Sequence, residues 1–468
     1  MAFTSLGAST QRVVAGIGET TQDKWGLVVL ALIWIKLYMK FSFPRRGVAA
    51  VVDTGGSIVN QLIWVSLVTL AVIIIYRNWN MSVALFRRTW PLMLPLIWFF
   101  VSMNWSSSPN LTFKRCVLLA CMMVVAFGVA AARPSTSDFI KVTAAVLGGI
   151  LFVNVLAVIA VPHLARTPGA GLFLGMYETK NTSGNIAGTI VVVWLFATLW
   201  ASSVTSKAFF ATGTALWLFF LIGTASKTSM ALAILTPMLT YLLYYIYRLE
   251  LRERLLSYIL LTLFTVLVFW SIFYLDLSAE EIGLLVFDDL TFTGRTALWE
   301  HVIYSIEQKP LFGYGYGAFW YVGEGTANLL GEGTGWEAVV TSAHNGYLNI
   351  LLEGGLVALI LCAVPLLMTW RGCLILLNRK SADRATRWIY ALVFCLILYI
   401  ALRDMMEASI FRSHSPSSMI IFLFFFLSEI WRFSDDRGVV QKYQPLSLLV
   451  RSRLDQSGSR IPVGGIRY

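Results

Sequence analysis

Apolar stretches long enough to cross a bilayer recur along this chain from Trp25 to Trp431, and nothing constrains its fold more. A run of about 18 apolar residues spans the roughly 30 Å hydrocarbon layer as a helix. Inside that layer backbone groups must be satisfied within the segment, which selects helices here. Hydrophobic residues make up 57% of the sequence and charged residues only 13%, about half the usual charged share of a soluble domain. No soluble core hides apolar runs of this number and length. The predicted fold is an all-α, polytopic transmembrane helix bundle of about 12 spans, with a large outer loop containing a short amphipathic helix.

The spans are read near Trp25–Phe41, Ser57–Tyr76, Val83–Ser102, Cys116–Ala132, Phe139–Val161, Ile186–Val204, Ala208–Gly223, Met230–Tyr247 and Leu255–Leu275. Three more follow near Tyr347–Trp370, Trp388–Leu402 and Ser418–Trp431. Pro91 and Pro95 interrupt the third, and its first turn carries Arg87 and Arg88. The chain divides into an N-terminal tail (1–24), nine spans (25–275), a large loop (276–343), three spans (344–431) and a basic tail (432–468).

Lys and Arg in short loops set orientation. Arg248, Arg252, Arg254, Arg371, Arg379, Lys380, Arg384 and Arg387 place their loops inside, while Lys40, Arg45 and Arg46 pull the other way. The balance puts both termini in the cytoplasm. Residues 1–24 lack the basic start and apolar core of a signal peptide, so the first span is expected to remain as an anchor. The five cysteines lie in or beside spans without a C-x-x-C pair, which argues against disulfides and a zinc site. The net charge of +11 resides largely in inner loops and the C-terminal tail, which favours anionic lipid as its partner and not nucleic acid.

The loop between the ninth and tenth spans breaks the pattern. It holds ten acidic residues but only two basic ones, Arg295 and Lys309. Gly294-Arg295-Thr296-Ala297-Leu298-Trp299-Glu300 opens a predicted helix that ends at Pro310. Leu298, Val302, Ile303 and Ile306 share one face, as in a helix lying on a membrane surface. A glycine-punctuated aromatic turn, Leu311 to Trp320, follows, and the chain re-enters the membrane at Ala343-His344-Asn345. Gly313-Tyr314-Gly315 lacks the Thr-Val and pore helix of a potassium filter, and it completes no dinucleotide fingerprint. Asp288-Asp289 reads as a solvated pair in preference to a metal site, and no metal or other cofactor is expected.

These residues resemble the bacterial O-antigen ligase and polymerase superfamily, and most of all its exopolysaccharide polymerase branch, of the succinoglycan type. The resemblance rests on Gly294-Arg295-Thr296 with Trp299, Lys309-Pro310-Leu311-Phe312-Gly313-x-Gly315, His344-Asn345 with Tyr347-Leu348, and Glu353-x-Gly355-Leu356. Upstream echoes are Trp105-Ser106-x-x-Pro109 with Lys114-Arg115, Lys180-Asn181, and Ser226-Lys227-Thr228. Lys227 stands where many members have arginine, and Ala358 where ligases prefer a glycine or small polar residue.

The resemblance implies a metal-independent glycosyltransferase in the bacterial inner membrane. It would polymerise undecaprenyl-diphosphate-linked oligosaccharides on the outer face, with a chain-length regulator and a flippase as partners. A diphosphate leaving group needs its charge neutralised more than it needs a proton. Arg295 is the first candidate for that task, and a salt bridge to Glu300 or Asp289 is its competing structural role. His344 is a usable base near neutrality, although a histidine at a helix start also serves as a cap. Arg115, Lys180, Asn181, Lys227, Lys309 and Asn345 are candidate substrate-binding residues, with Arg403 and Arg412 as further outer cations. Glu407 is a carboxylate placed to orient a cation. Glu353 falls on roughly the opposite helical face from His344 and is expected to pack inside the bundle. Trp299, Trp320, Tyr314, Tyr316 and Tyr321 suit either sugar stacking or the membrane interface. Two alternatives stay open: a ligase that shares the donor, and a transporter or flippase for the same lipid-linked sugars. The near absence of ionisable residues inside the spans disfavours the second.

Overall fold

The computed structural model describes residues 22–40, 58–274, 295–321, 341–379 and 382–442. The fold is all-α, and the only extended pairing among the described residues is an isolated bridge between Arg166 and Phe173. In chain order the helices are α1 (Trp25–Tyr38), α2 (Ile58–Arg77), α3 (Trp79–Thr89), α4 (Met93–Val101), α5 (Pro109–Ala131), α6 (Thr136–Ala160), α7 (Pro162–Ala165) and α8 (Lys180–Trp200). They continue with α9 (Val204–Gly223), α10 (Lys227–Arg248), α11 (Leu251–Tyr274), α12 (Arg295–Gln308), α13 (Gly346–Leu377), α14 (Arg384–Arg403) and α15 (Pro416–Lys442). Among the described residues eight helices are long and apolar enough to cross a membrane: α2, α5, α6, α8, α9, α10, α13 and α14.

Burial sorts these helices into a centre and a rim. Every residue from Ile389 to Ile400 on α14 is buried, as is every residue from Met419 to Leu427 on α15. A helix that is apolar all round and covered on every side belongs at the centre of a bundle. By contrast, α2 buries only Trp64, Leu67, Ala71 and Ile74, a single stripe that meets α5. Its remaining face, with Ile58, Val59, Leu62 and Val65 exposed, suits contact with lipid. The helix α8 packs against α6, α9, α10 and α14 and so ties rim to centre.

Two expected spans take a different form. The third is not one helix: Pro91 sits in a short 3-10 turn, Trp90–Leu92, that separates α3 from α4. Proline removes a helix hydrogen bond and clashes with the preceding turn, so the chain yields there. The tenth is broken inside α13 at Gly355, whose backbone lies at φ 69°, ψ −171°. Only glycine occupies that region without strain.

The break in α13 frees backbone groups that a membrane cannot hydrate. Residues 310–315 supply the partners. The Leu352 and Glu353 carbonyls accept from the Tyr314 and Gly315 N–H groups at 2.9 Å each. The Leu356 and Val357 N–H groups donate to the Pro310 and Leu311 carbonyls at 2.9 and 3.4 Å. Trp98 Nε1 on α4 donates to the Gly354 carbonyl at 2.9 Å. The glycine-punctuated motif is therefore a plug in a broken helix, which fixes α12 and its following turn against the start of α13.

Candidate functional site

Three residues far apart in sequence meet at one end of the bundle. Arg295 opens α12, His344 immediately precedes α13, and Glu407 lies in the turn between α14 and α15. Arg295 Nη2 is 3.4 Å from Glu407 Oε1, and His344 Nδ1 is 3.5 Å from Glu407 Oε2. Glu407 thus uses one oxygen for each partner. The Arg295 side chain is 13% exposed and those of His344 and Glu407 31%, so the cluster opens to solvent without being loose. Arg295 pairs with Glu407 and not with Glu300; Asp289 lies outside the described residues.

Burial alone would raise the Glu407 carboxyl, but the adjacent His344, then the charges of Arg295 and Arg403, outweigh it and hold the carboxyl below its ordinary value. A carboxyl lowered by folding stabilises the fold above its unfolded value, and that contribution is lost as pH falls through the lowered folded value. The Glu407→Gln variant is therefore expected to lose less thermal stability than wild type on acidification below about pH 4.5. Melting curves in detergent across that range check it; parallel losses in both proteins would mean that the cluster does not hold the Glu407 carboxyl below its ordinary value.

The supports of this site are buried and polar. Asp404 is fully buried and bonded to Arg403 at 3.1 Å. Its carboxylate also accepts from the Ser409 and Ile410 N–H groups at 2.8 and 2.7 Å, which folds the turn carrying Glu407. Its backbone carbonyl accepts from Gly346 N at 2.7 Å, which brings the His344-Asn345 turn alongside. Arg403 reaches Asn185 Oδ1 on α8 at 2.7 Å and also donates to Ser409 and Ser417. Asp404 was not singled out in the sequence. Its one signal there is an ionisable pair, Arg403-Asp404, closing a long apolar run.

The other candidates distribute around this centre. Asn345 caps α13, accepting from Tyr347 N and Leu348 N at 3.0 and 3.1 Å, and it donates to the Met405 carbonyl at 3.2 Å. Arg115 on α5 donates to the Gly317 carbonyl. Lys180 and Asn181 are exposed in the first turn of α8, and Lys227 is exposed at the start of α10. Gly184 and Ser226 are in close contact, so these two helix starts lie side by side. Helix N-termini with lysines attract anions. Lys309 is exposed, its ammonium 4.5 Å from the Tyr314 ring centre. Arg412 donates to the Thr341 carbonyl at 2.9 Å.

Several aromatics read as sugar platforms or interface anchors are instead packed and bonded internally. Tyr316 and Trp320 are 3% and 4% exposed. Tyr316 donates to the Phe411 carbonyl at 2.7 Å, Tyr314 to the Ser305 carbonyl at 3.0 Å and Trp299 Nε1 to the Ala343 carbonyl at 2.9 Å. The helix α12 does not spend its apolar face on a membrane surface. Leu298 and Val302 bury against Phe319, Trp320, Ala343 and Leu352, while Ile303 points away and is exposed. Periodicity finds a covered face but not what covers it. Glu353 is buried inside the bundle, as its helical phase predicted.

Residues 212–363, which include Arg295, His344 and the plug, match the family described as O-antigen ligase. The exopolysaccharide production protein ExoQ of Rhizobium meliloti (strain 1021) is 28% identical over 140 residues, 29% of this chain and 30% of that protein. The chain thus aligns with less than a third of that relative's length. Both matches support the O-antigen ligase and polymerase superfamily, the one the motifs resemble.

Proposed function

We propose that this member of the O-antigen ligase and polymerase superfamily is a membrane glycosyltransferase that joins undecaprenyl-diphosphate-linked oligosaccharide repeat units into exopolysaccharide or O-antigen on the outer face of the bacterial inner membrane. The observation that carries the reading is the Glu407 carboxylate bridging Arg295 and His344. That geometry provides one fixed cation and one oriented imidazole at the same place. With Glu407 on Nδ1, the imidazole favours its proton there, which makes Nε2 the basic nitrogen.

In the proposed step His344 Nε2 takes the proton of an acceptor hydroxyl as its oxygen bonds to the anomeric carbon. The bond from that carbon to the diphosphate oxygen breaks, and the electron pair leaves with the lipid diphosphate. Arg295 faces the charge that develops on the leaving group. Glu407 orients both. Lys180, Asn181, Lys227, Lys309 and Arg115 belong to the same reading as substrate contacts. The Glu407→Gln variant keeps the side-chain size but removes the charge. Its turnover is expected to fall about 10–100-fold with KM little changed. A rise in KM at unchanged turnover would instead make Glu407 a binding residue.

The lipid-linked saccharide profile of cells lacking this protein tests the reading. Single repeat units building up on the outer face, rescued by wild type and not by Arg295→Ala, are the expected result. The ligase reading is the second one, since the matched family bears that description; it predicts long lipid-linked chains in place of single units. Repeat units trapped on the inner face would overturn both and point to a flippase.

A further inference from the structure

His344 sits at φ 45°, a left-handed conformation uncommon for a residue with a side chain. The residue before it is held at both ends. Ala343 is fully buried, and both ends of its backbone are engaged. Its carbonyl accepts from Trp299 Nε1 at 2.9 Å, one turn along α12 from Arg295. Its N–H donates to Asn349 Oδ1 at 3.3 Å. The same oxygen accepts from Trp320 Nε1 at 3.0 Å, and the buried Glu353 lies one turn further along α13. The charges of Arg115 and Arg412 act on Glu353.

The chemistry of this position suits asparagine. One carbonyl oxygen with two lone pairs serves two donors without bringing a charge. An aspartate would set a second buried carboxylate against Glu353. An apolar residue would leave the Trp320 and Ala343 donors unpaired at 4% and 0% exposure, each a costly loss in a buried place.

We infer that Asn349 is a positioning residue: by holding the Ala343 N–H while Trp299 holds the Ala343 carbonyl, it sets where His344 stands relative to Arg295 and Glu407. It acts without touching substrate, and the inference rests on the catalytic reading of that trio. A displacement of the imidazole by about 1 Å costs on the order of 100-fold in rate without a matching cost in binding.

The test uses the purified full chain in detergent, with lipid-linked repeat unit extracted from cells lacking the protein as substrate. Asn349→Ala is expected to lower kcat about 10–100-fold while KM stays within about threefold. Trp299→Phe keeps an aromatic ring, removes the other bond to Ala343 and is expected to show the same split. The double variant should be far less impaired than the product of the two losses, because both act through Ala343. Should Asn349→Ala fail to accumulate, Trp299→Phe alone carries the test. Unchanged kcat in both variants, or losses confined to KM, overturns the inference while an inactive His344→Ala leaves the site reading standing. A fully active His344→Ala overturns the site reading itself and this inference with it.

Discussion

Arg295→Ala is expected to leave a protein that inserts and folds normally but makes roughly 10²–10³-fold less polymer, the scale of removing a single charge-stabilising donor from an active site. The fold has little stake in this residue. Arg295 opens α12 and among the described residues makes one ion pair, to Glu407 at 3.4 Å and partly exposed, a class of contact that contributes modestly to stability. The apolar side of α12 is held independently by Leu298 and Val302. A large loss of product at normal protein level therefore isolates a functional role. Arg295→Lys is expected to recover only a small part, since a lysine keeps the charge but not the two-pronged guanidinium geometry. Polymer output measured against membrane protein content decides it. Wild-type output from Arg295→Ala would reduce the trio to a structural contact.

Gly355→Ala is expected to act in the opposite way, by preventing the folded protein from accumulating. At φ 69°, ψ −171° an alanine is strained, and its Cβ would overlap the Leu311 carbonyl and the Phe312 nitrogen. These are backbone atoms engaged in the plug and cannot swing aside. Backbone strain and overpacking together cost about 3–5 kcal/mol, a large part of the roughly 5–15 kcal/mol that holds a folded domain. Gly313→Ala meets the same obstacle from the other side, with its Cβ 2.7 Å from the Glu353 carbonyl carbon and the Gly354 nitrogen. Gly149→Ala on α6 is the control, because its Cβ meets nothing within 4 Å. Accumulation and melting temperature in detergent distinguish the variants. Normal melting of Gly355→Ala would show that α13 can close its break without the plug.

The helical class was legible because insertion responds to local hydropathy, a property of each run taken alone. Helix ends were less legible: Asn345, Thr179 and Asp383 accept from backbone N–H groups in the first turns of α13, α8 and α14, but the apolar runs alone place the starts of α8 and α14 several residues later, near Ile186 and Trp388. The break at Gly355 was not legible, since the run from Tyr347 to Trp370 is apolar throughout and a glycine pair in such a run is common packing material. What breaks the helix is a competing set of backbone partners in residues 310–315, and no local pattern reveals those. The aromatic side chains were misplaced for a related reason. Tyr316 and Trp320 have the composition of an interface belt but lie under other residues.

For the site, residue type was readable and pairing was not. An arginine in an acidic loop, a histidine at a helix start and a carboxylate beyond a late span each stood out singly. The sequence by itself determined that this chain is helical and membrane-spanning, and it marked Arg295, His344 and Glu407 as unusual, because hydropathy and charge are local properties of the chain. Only the tertiary structure decided that Glu407 reaches Arg295 across 112 positions of sequence and that Ala343 is held between Trp299 and Asn349. Those contacts depend on how α12, α13 and the α14–α15 turn pack together, and packing is settled by the whole bundle at once.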